Sequence, residues 1–330
     1  MDAENVLKLI KFTSTVATGV IAGGAIYINL AEHPARMQLD DVQSLHRQWR
    51  ESFDRAKYLM AGTSLLPIAG GIAAFAIDQS KGKPWLITAG LMAFNMPYTA
   101  LAMKSRVIDP IYDYEVAAKM DPGKVRDTVD KWNTFHKVRT IIDVSTLVWC
   151  VYNLAKALGV ALSSCKMGFD LDDLFPYLEV ISTVAAGMFV GGAVYINVVE
   201  HPARMTIQDT TSCHKEWMES FDRAKVFQSR LALVSIISGA GAYYCNPKKG
   251  LPFLVGGGLI ATIFPYTLFV LKPNSIDPIY DKEVTARKSE GVVRETIDKW
   301  NSYHMVRSII TFPVFVGYVL YLSSGHKKFW

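Results

Sequence analysis

Long stretches without a charged residue constrain this chain more than any other feature of its sequence. Seven such stretches of 17 to 22 residues occupy positions 12–31, 58–77, 84–103, 180–199, 231–247, 250–271 and 308–325. About 20 helical residues cross the hydrocarbon core of a bilayer, and only helices or closed barrels can cross it. Residues 140–155 are a weaker eighth candidate, because Asp143 lies near their start. The sequence therefore predicts an all-α integral membrane protein with eight transmembrane helices.

Composition agrees with this class and excludes others. Half of the 330 residues are hydrophobic and 20% are charged, whereas about a quarter are charged in a typical soluble domain. The net charge of +5 is modest and spread over the chain, so nucleic-acid binding is not expected. No glycine-rich phosphate loop or nucleophile elbow is visible. Residues 12–31 are too long for the apolar region of a cleaved signal peptide, and we expect them to remain in the mature protein.

An internal repeat sets the domain organisation. A shift of 168 positions aligns the two halves without a gap: residues 32–37 (Glu-His-Pro-Ala-Arg-Met) are identical to residues 200–205, and residues 51–57 to residues 219–225. A period this long indicates a duplicated domain. We predict a four-helix membrane repeat at 1–160, a polar linker at 161–176 and a second four-helix repeat at 177–330.

An even number of spans in each repeat makes the two four-helix bundles parallel, unlike the inverted repeats of many transporters. We call the face with both predicted termini side A and the opposite face side B. Side A has short basic loops at residues 78–83 and 246–249, and side B has long ones at 32–57 and 104–139 in the first repeat. Because the positive-inside rule applies best to short loops, side A is expected in the cytosol.

The polar residues shared by the two repeats lie on side B. Six of the seven histidines form three equivalent pairs, and Glu, Trp, Tyr, Asn and Arg residues accompany them. We expect three helix ends to bring one imidazole each to a common membrane-surface region in each repeat. The candidate catalytic residues are His33, His46, His136, Asn133, Arg139 and Tyr112, with His201, His214, His304, Asn301, Arg307 and Tyr280 as their counterparts. Trp49, Trp132, Trp217 and Trp300 are candidate cofactor-binding residues.

Three kinds of role fit these residues. The histidines, with Glu32 and Glu115 or their counterparts Glu200 and Glu283, could bind copper, iron or zinc, although their spacing matches no compact metal motif. They could instead act as general acid and base, with arginine, asparagine and tyrosine orienting an oxyanion. The third role is structural: an interfacial salt-bridge network of the charged residues, and an aromatic belt of the Trp and Tyr side chains.

Weaker signals concern packing. Gly19, Gly23 and Gly24, repeated as residues 187, 191 and 192, place small residues on the first helix of each repeat, which favours close helix packing. Pro97 and Tyr98 are repeated inside the third predicted span and are a candidate pocket wall. The four cysteines have no cysteine counterpart in the other repeat, so no disulfide framework is expected. Asp143 is also unmatched and receives no shared role.

Each half resembles the anthrone oxygenase-like family of four-span membrane proteins. The resemblance rests on residues 27–36 (Tyr-Ile-Asn-Leu-Ala-Glu-His-Pro-Ala-Arg), on the tryptophan-bearing loop, and on Trp132 and Asn133 with His136 and Arg139. It covers nearly the whole chain, twice. Fungal members are implicated in oxidising anthrones to anthraquinones with O₂. The tandem duplication departs from the single-unit members, so the substrate is not carried over.

Two hypotheses follow. The first is a membrane oxidoreductase or oxygenase acting on a lipophilic, anthrone-like or lipid-derived substrate at a side-B site in each repeat, with a transition metal or with no cofactor. The second is a non-enzymatic membrane scaffold or a carrier of lipids or small solutes, in which the same residues form a structural network. Both predict a multi-pass protein of the endoplasmic reticulum or another internal membrane. The partners are then the lipid bilayer and, under the first, a lipophilic small molecule.

Overall fold

The computed structural model describes residues 2–156 and 171–326, and within these ranges the chain is helical and has no β-strand. Some residues discussed above lie outside the described ranges. They are linker residues 161–170, which include Cys165, one of the four cysteines. Among the described residues, Cys150, Cys213 and Cys245 are free.

The two repeats contain the same series of helices. The first repeat consists of α1 (Ala3–Arg36), α2 (Val42–Ile77), α3 (Gln79–Tyr112) and α4 (Pro122–Lys156). The second consists of α5 (Phe175–Arg204), α6 (Thr210–Cys245), α7 (Pro247–Tyr280) and α8 (Glu290–Ser323). A short helix precedes α4 and another precedes α8, at Tyr114–Ala118 and Lys282–Ala286, and a single 3₁₀ turn at Leu171–Leu174 precedes α5.

Side-chain caps start the helices at equivalent places. Asp41 accepts hydrogen bonds from two backbone N–H groups at the start of α2, and Asp209 does the same at the start of α6. Asp78 caps α3 and Asn246 caps α7, and each is the single residue that separates its helix from the preceding one. Because a cap satisfies otherwise unpaired N–H groups, these residues end one span and begin the next within a tight turn.

Seven helices are long and apolar enough to cross a membrane, namely α1 to α5, α7 and α8, so this is an integral, multi-pass membrane protein. Helix α4 qualifies despite Asp143. Helix α6 is the one of these eight helices that is not apolar enough to be counted as a membrane span. Its apolar part begins only after Arg230 and is rich in serine, glycine and tyrosine, so its hydropathy falls below that of its counterpart α2. The eight-span count is therefore not confirmed.

Helices α1 and α5 form the centre of the molecule. Of their most apolar 18-residue stretches, 61% and 78% are buried, against 28% in α2, α3 and α7. They cross where Gly23 meets Gly191: a Cβ atom added to Gly23 would lie 2.4 Å from the backbone oxygen of Met188 and 2.6 Å from Cα of Gly191. The expectation that these glycines serve close helix packing is confirmed.

Contacts at the helix ends give the direction of the two halves. Lys8 of α1 and Leu154 of α4 line one cleft, while Tyr152 of α4 and Tyr177 of α5 line another. Helices α1 and α5 therefore both begin beside the end of α4 and run in the same direction. On the opposite side, Lys215 of α6 donates to Asp40 of the first repeat at 2.7 Å, and this hydrogen bond lowers the pKa of Asp40.

The last part of the third helix is wound differently in both repeats. Residues Thr99–Ile108 of α3 and Thr267–Ile276 of α7 form π-helix. Each π-helical segment follows a proline, Pro97 or Pro265, which lacks the N–H group that an α-helix needs. Such segments are frequent at functional sites, and the one in α3 borders the cavity described below.

Candidate functional site

The three histidines of each repeat have separate hydrogen-bond partners. Nε2 of His33 lies 3.1 Å from Oδ1 of Asp130, and Nε2 of His46 lies 2.6 Å from the backbone oxygen of Ile111. Nδ1 of His136 lies 3.5 Å from Oδ1 of Asn29. The counterparts repeat these contacts: His201 with Asp298, His214 with Ile279, and His304 with Asn197. Each imidazole is thus held by a different neighbour.

The buried glutamate of α1 is held by a network of hydrogen bonds. Glu32 and Arg36 form an ion pair at 2.9 Å, with both side chains fully buried. Gln48 donates to Oε1 of Glu32 at 3.0 Å and accepts from Arg36, which also donates to Ser52 at 2.8 Å. The hydroxyl of Tyr195, from the second repeat, donates to Oε2 at 2.8 Å. Glu32 and Arg36 are therefore paired inside the protein, whereas the structural interpretation placed the charged network at the membrane interface.

The second repeat contains the equivalent network. Glu200 pairs with Arg204 at 3.1 Å and accepts from Ser220 at 2.5 Å. The hydroxyl of Tyr27, from the first repeat, donates to Glu200 at 2.8 Å. Glu216 stands where the first repeat has Gln48 and accepts from Arg204. Each repeat therefore supplies a tyrosine that completes the buried network of the other.

These positions bear on the metal hypothesis. Glu32 and Glu200 are already surrounded by donors, and Glu115 and Glu283 are exposed on the short helices before α4 and α8. In the described part of the chain, no group of three or more His, Cys, Asp or Glu side chains is arranged to hold a metal ion. The residues named as ligands do not fit a metal site in this arrangement, and the metal hypothesis stays a prediction.

The tryptophans connect α2 to α4 inside the protein. In the first repeat, the ring centroids of Trp49 and Trp132 are 6.1 Å apart, and each tryptophan stacks on a histidine of its own helix, His46 at 5.9 Å and His136 at 5.1 Å. Trp217 and Trp300 repeat the arrangement. Trp49 is fully buried and Trp132 is 5% exposed, so the aromatic-belt interpretation is wrong for these two side chains.

A cavity of about 520 Å³ lies between α2, α3 and α4 of the first repeat, and α1 closes one wall. At its side-B end it is lined by Lys57, Lys104, Asp109 and Tyr112. Apolar side chains form most of the rest of its wall. Four candidate residues of the first repeat line the cavity, namely Tyr112, Trp132, His136 and Arg139. The candidates His33, His46, Trp49 and Asn133 do not.

Three polar side chains on the cavity wall have buried atoms without a hydrogen-bond partner in the described structure. They are Nε1 of Trp132, Nε of Arg139 and Oδ1 of Asn95. Buried polar atoms are normally paired, by protein or by other molecules. These atoms have almost no accessible surface, so the wall holds two N–H donors and one carbonyl acceptor just beneath a surface that is mostly apolar away from its side-B end. This pattern is typical of small-molecule sites.

Asp143, whose equivalent in the second repeat is a threonine, lies behind this wall. Its side chain is 1% exposed, and its Oδ1 accepts from Nδ2 of Asn95 at 2.7 Å. It follows Arg139 by one helical turn on α4. An acidic residue within a membrane span is costly and is a functional candidate by default. That rule could have identified Asp143, whereas requiring a match in both repeats excluded it. Asn95 gave no comparable signal.

Comparison with known proteins agrees with the repeat. The family model described as anthrone oxygenase matches residues 49–158 and again residues 217–317, and the two matches begin 217 − 49 = 168 positions apart. The anthrone oxygenase of Claviceps purpurea (strain 20.1) is 21% identical over 157 residues, which cover 44% of this chain and 90% of the relative. No solved structure matches. The chain thus belongs to the anthrone oxygenase family, as a member with two tandem repeats.

Proposed function

We propose that this protein is a membrane oxygenase that oxidises a lipophilic aryl ketone in the cavity of the first repeat. The observation that carries the proposal is a largely apolar cavity whose wall includes Trp132, Arg139 and Asn95, each with a buried polar atom that has no hydrogen-bond partner. Family membership supports the reaction class. The cavity's volume of about 520 Å³ lies within the usual range for small-molecule sites, about 300–1,000 Å³.

The reaction needs a base more than it needs a metal. In an anthrone, a methylene group is flanked by two aromatic rings that a ketone joins, and loss of a methylene proton gives an aromatic oxyanion. We assign His136 as the base, since it lines the cavity and carries a proton-accepting imidazole. Its Nδ1 faces Asn29 and Thr140 at 3.5 and 3.4 Å. Those contacts leave Nε2 for the substrate.

Arg139 and Trp132 are assigned to the oxyanion. Both line the cavity and have a buried, unpartnered N–H group, so a rotation of either side chain would let that group donate a hydrogen bond to the oxygen as negative charge develops on it. One such donor in a desolvated site changes a rate by about 10²–10³-fold. Asp143 balances the charge of Arg139 from one turn away and holds the Asn95 side chain in place through its 2.7 Å hydrogen bond.

Electrons and atoms balance without a further reductant. The anionic substrate carbon gives electrons to O₂ and forms a C–O bond, and the resulting hydroperoxide loses water. The methylene group becomes a carbonyl, so that CH₂ and O₂ give C=O and H₂O. One oxygen atom enters the product and the other leaves as water. The protein's tasks are to bind the flat substrate, remove the first proton, stabilise the anion and exclude competing water.

The test uses full-length protein in lipid nanodiscs with anthrone and O₂. We measure O₂ uptake with an electrode and the product by its absorbance. His136→Gln should lower the turnover rate by about 10²–10⁴-fold, the usual contribution of a positioned base. His33→Gln is the matched control, because His33 lies off the cavity wall, and it should leave the rate unchanged. Full activity of folded His136→Gln protein contradicts the assignment.

The carrier hypothesis is separated from this one by the same assay. A carrier would bind the ketone in the same cavity but would consume no O₂ above the rate of empty nanodiscs. The metal route is separated by metal analysis of the purified protein and by its activity after dialysis against a chelator. We expect the activity to survive chelation, because the six paired histidines are held by different neighbours. Loss of activity on chelation, with recovery on adding a metal, refutes the base mechanism.

We further propose that α6 crosses the membrane, which completes two four-helix bundles with eight spans. It is 36 residues long, like α2, and forms a hairpin with α7 through the single residue Asn246. Its outer face carries exposed apolar side chains, with Ile237 68% and Tyr244 74% exposed. A single cysteine introduced at Lys248 should react with a membrane-impermeant maleimide from the same side as one introduced at Lys81. Reaction from opposite sides contradicts the eight-span topology.

A further inference from the structure

The two repeats differ at the end of the cavity that is farther from side B, which we call the inner end, although their side-B ends are alike. Of the 20 residues that line the cavity of the first repeat, 12 are identical in the second repeat at a shift of 168 positions. The identical ones include Lys57, Tyr112, Trp132, His136 and Arg139. The eight that differ lie on α1, α2 and α3, and two of these, Met60 and Ala61, whose counterparts are Gln228 and Ser229, lie about one turn from Lys57.

Several of the differing residues are larger in the second repeat. Ile21 is replaced by Phe189, Met96 by Phe264 and Ala100 by Leu268. Phe189 is 1% exposed and packs in an apolar core to which both repeats contribute. The guanidinium of Arg307, the counterpart of Arg139, lies 5.6 Å from the centre of the Phe189 ring. A phenyl ring therefore occupies the position that would face the substrate beside this arginine.

The pair formed by Asn95 and Asp143 is also missing from the second repeat. Asn95 is replaced by Ile263, and Asp143 by Thr311. Ile263 is 2% exposed, and the Thr311 hydroxyl donates to the backbone oxygen of Arg307 within α8, at 2.8 Å. The hydrogen-bonded pair behind the wall of the first repeat thus has no counterpart.

From these differences we infer that each chain binds and oxidises substrate in the first repeat only, and that residues 21 and 95 determine this. The inference rests on the proposed function. It adds that, of the two equivalent sets of histidine, tryptophan and arginine, only the set in the first repeat is active. The second repeat serves as a structural partner, since its Tyr195 completes the buried network around Glu32. The side-B wall that the two repeats share is then not enough for binding, because the tricyclic ring system of an anthrone-like substrate must also occupy the inner end of the cavity.

The experiment is a binding titration of full-length protein in lipid nanodiscs with anthrone under argon, where oxidation cannot proceed. Quenching of tryptophan fluorescence reports binding, and empty nanodiscs correct for partitioning. We expect one equivalent bound per chain. Ile21→Phe and, independently, Asn95→Ile place the second repeat's residues in the first repeat, and each should weaken binding at least tenfold. Phe189→Ile is the matched control and should leave both stoichiometry and affinity unchanged.

A gain-of-function variant tests the same inference from the other side. Phe189→Ile combined with Ile263→Asn, Phe264→Met and Leu268→Ala reopens the inner end of the second repeat, and the stoichiometry should rise to two. Two equivalents in the unaltered protein, or binding that both Ile21→Phe and Asn95→Ile leave intact, overturns the inference while the proposed function stands. A folded fourfold variant that still binds one equivalent overturns the assignment to these positions. No binding by the unaltered protein overturns the proposed function itself.

Discussion

Replacing Tyr195 by phenylalanine tests whether the two repeats stabilise each other through their buried networks. The hydroxyl of Tyr195 is the donor to Oε2 of Glu32, at 2.8 Å, while Arg36 and Gln48 both approach Oε1. The substitution keeps the ring and its packing against Tyr27, whose ring centroid is 5.8 Å away. It removes one hydrogen bond to a buried charge. Such a bond contributes about 1.5–3 kcal/mol, so we expect the free energy of unfolding to fall by about 2 kcal/mol.

The assay is equilibrium unfolding in detergent micelles, followed by circular dichroism. Tyr58→Phe is the matched control, because Tyr58 is 75% exposed and surface substitutions usually change stability by less than about 0.5 kcal/mol. A double-mutant cycle with Glu32→Gln isolates the pair, and we expect a coupling energy of about 0.5–3 kcal/mol. If Tyr195→Phe behaves like Tyr58→Phe, or if the two substitutions are additive, the network does not join the repeats energetically.

Two further predictions concern the helix crossing and the buried aspartate. Gly23→Ala should destabilise the protein by about 1–3 kcal/mol through overpacking, because the new Cβ would lie 2.4 Å from the backbone of α5. Gly62→Ala should not destabilise the protein, because a Cβ atom added at Gly62 meets no atom within 4 Å. If the two substitutions lower the melting temperature equally, the close crossing of α1 and α5 is contradicted. In protein that is still folded, Asp143→Asn should lower the rate of O₂ uptake about tenfold, equivalent to about 1.4 kcal/mol. Thr311→Val, at the equivalent position of the second repeat, is the control and should leave the rate unchanged. If Asp143→Asn also leaves the rate unchanged, Asp143 does not contribute to the site.

The helical membrane class and the repeat could be predicted from sequence because both depend on composition along one dimension. Apolar length determines which segments cross a bilayer, and a fixed shift of 168 positions is visible without any structure. The glycines of α1 could likewise be assigned to helix packing. Which helix they pack against required the structure, since the partner, Gly191, is distant in sequence.

The candidate site was predicted only in part. Of the first repeat's predicted catalytic residues, Tyr112, His136 and Arg139 reach the cavity, while His33 and His46 bind Asp130 and Ile111. A helix end can be assigned to side B from the sequence, but the direction of its side chain depends on how the helices rotate against each other. The pairing of Glu32 with Arg36 follows from their four-residue spacing. Its completion by Tyr195 depends on the crossing of α1 and α5, so sequence spacing could not reveal it.

The exchange of tyrosines between the repeats has a consequence for the evolution of this chain. The curated relative aligns over 157 residues that make up 90% of its length, so it is about as long as one repeat. A single-repeat protein that kept the same tyrosine and glutamate would need a second copy to complete both networks, as in a two-fold symmetric dimer. In such a dimer every substitution appears twice, and a phenylalanine that fills one cavity fills both. Joining the copies in one chain removes that constraint, so that one half could lose its cavity while the other kept it.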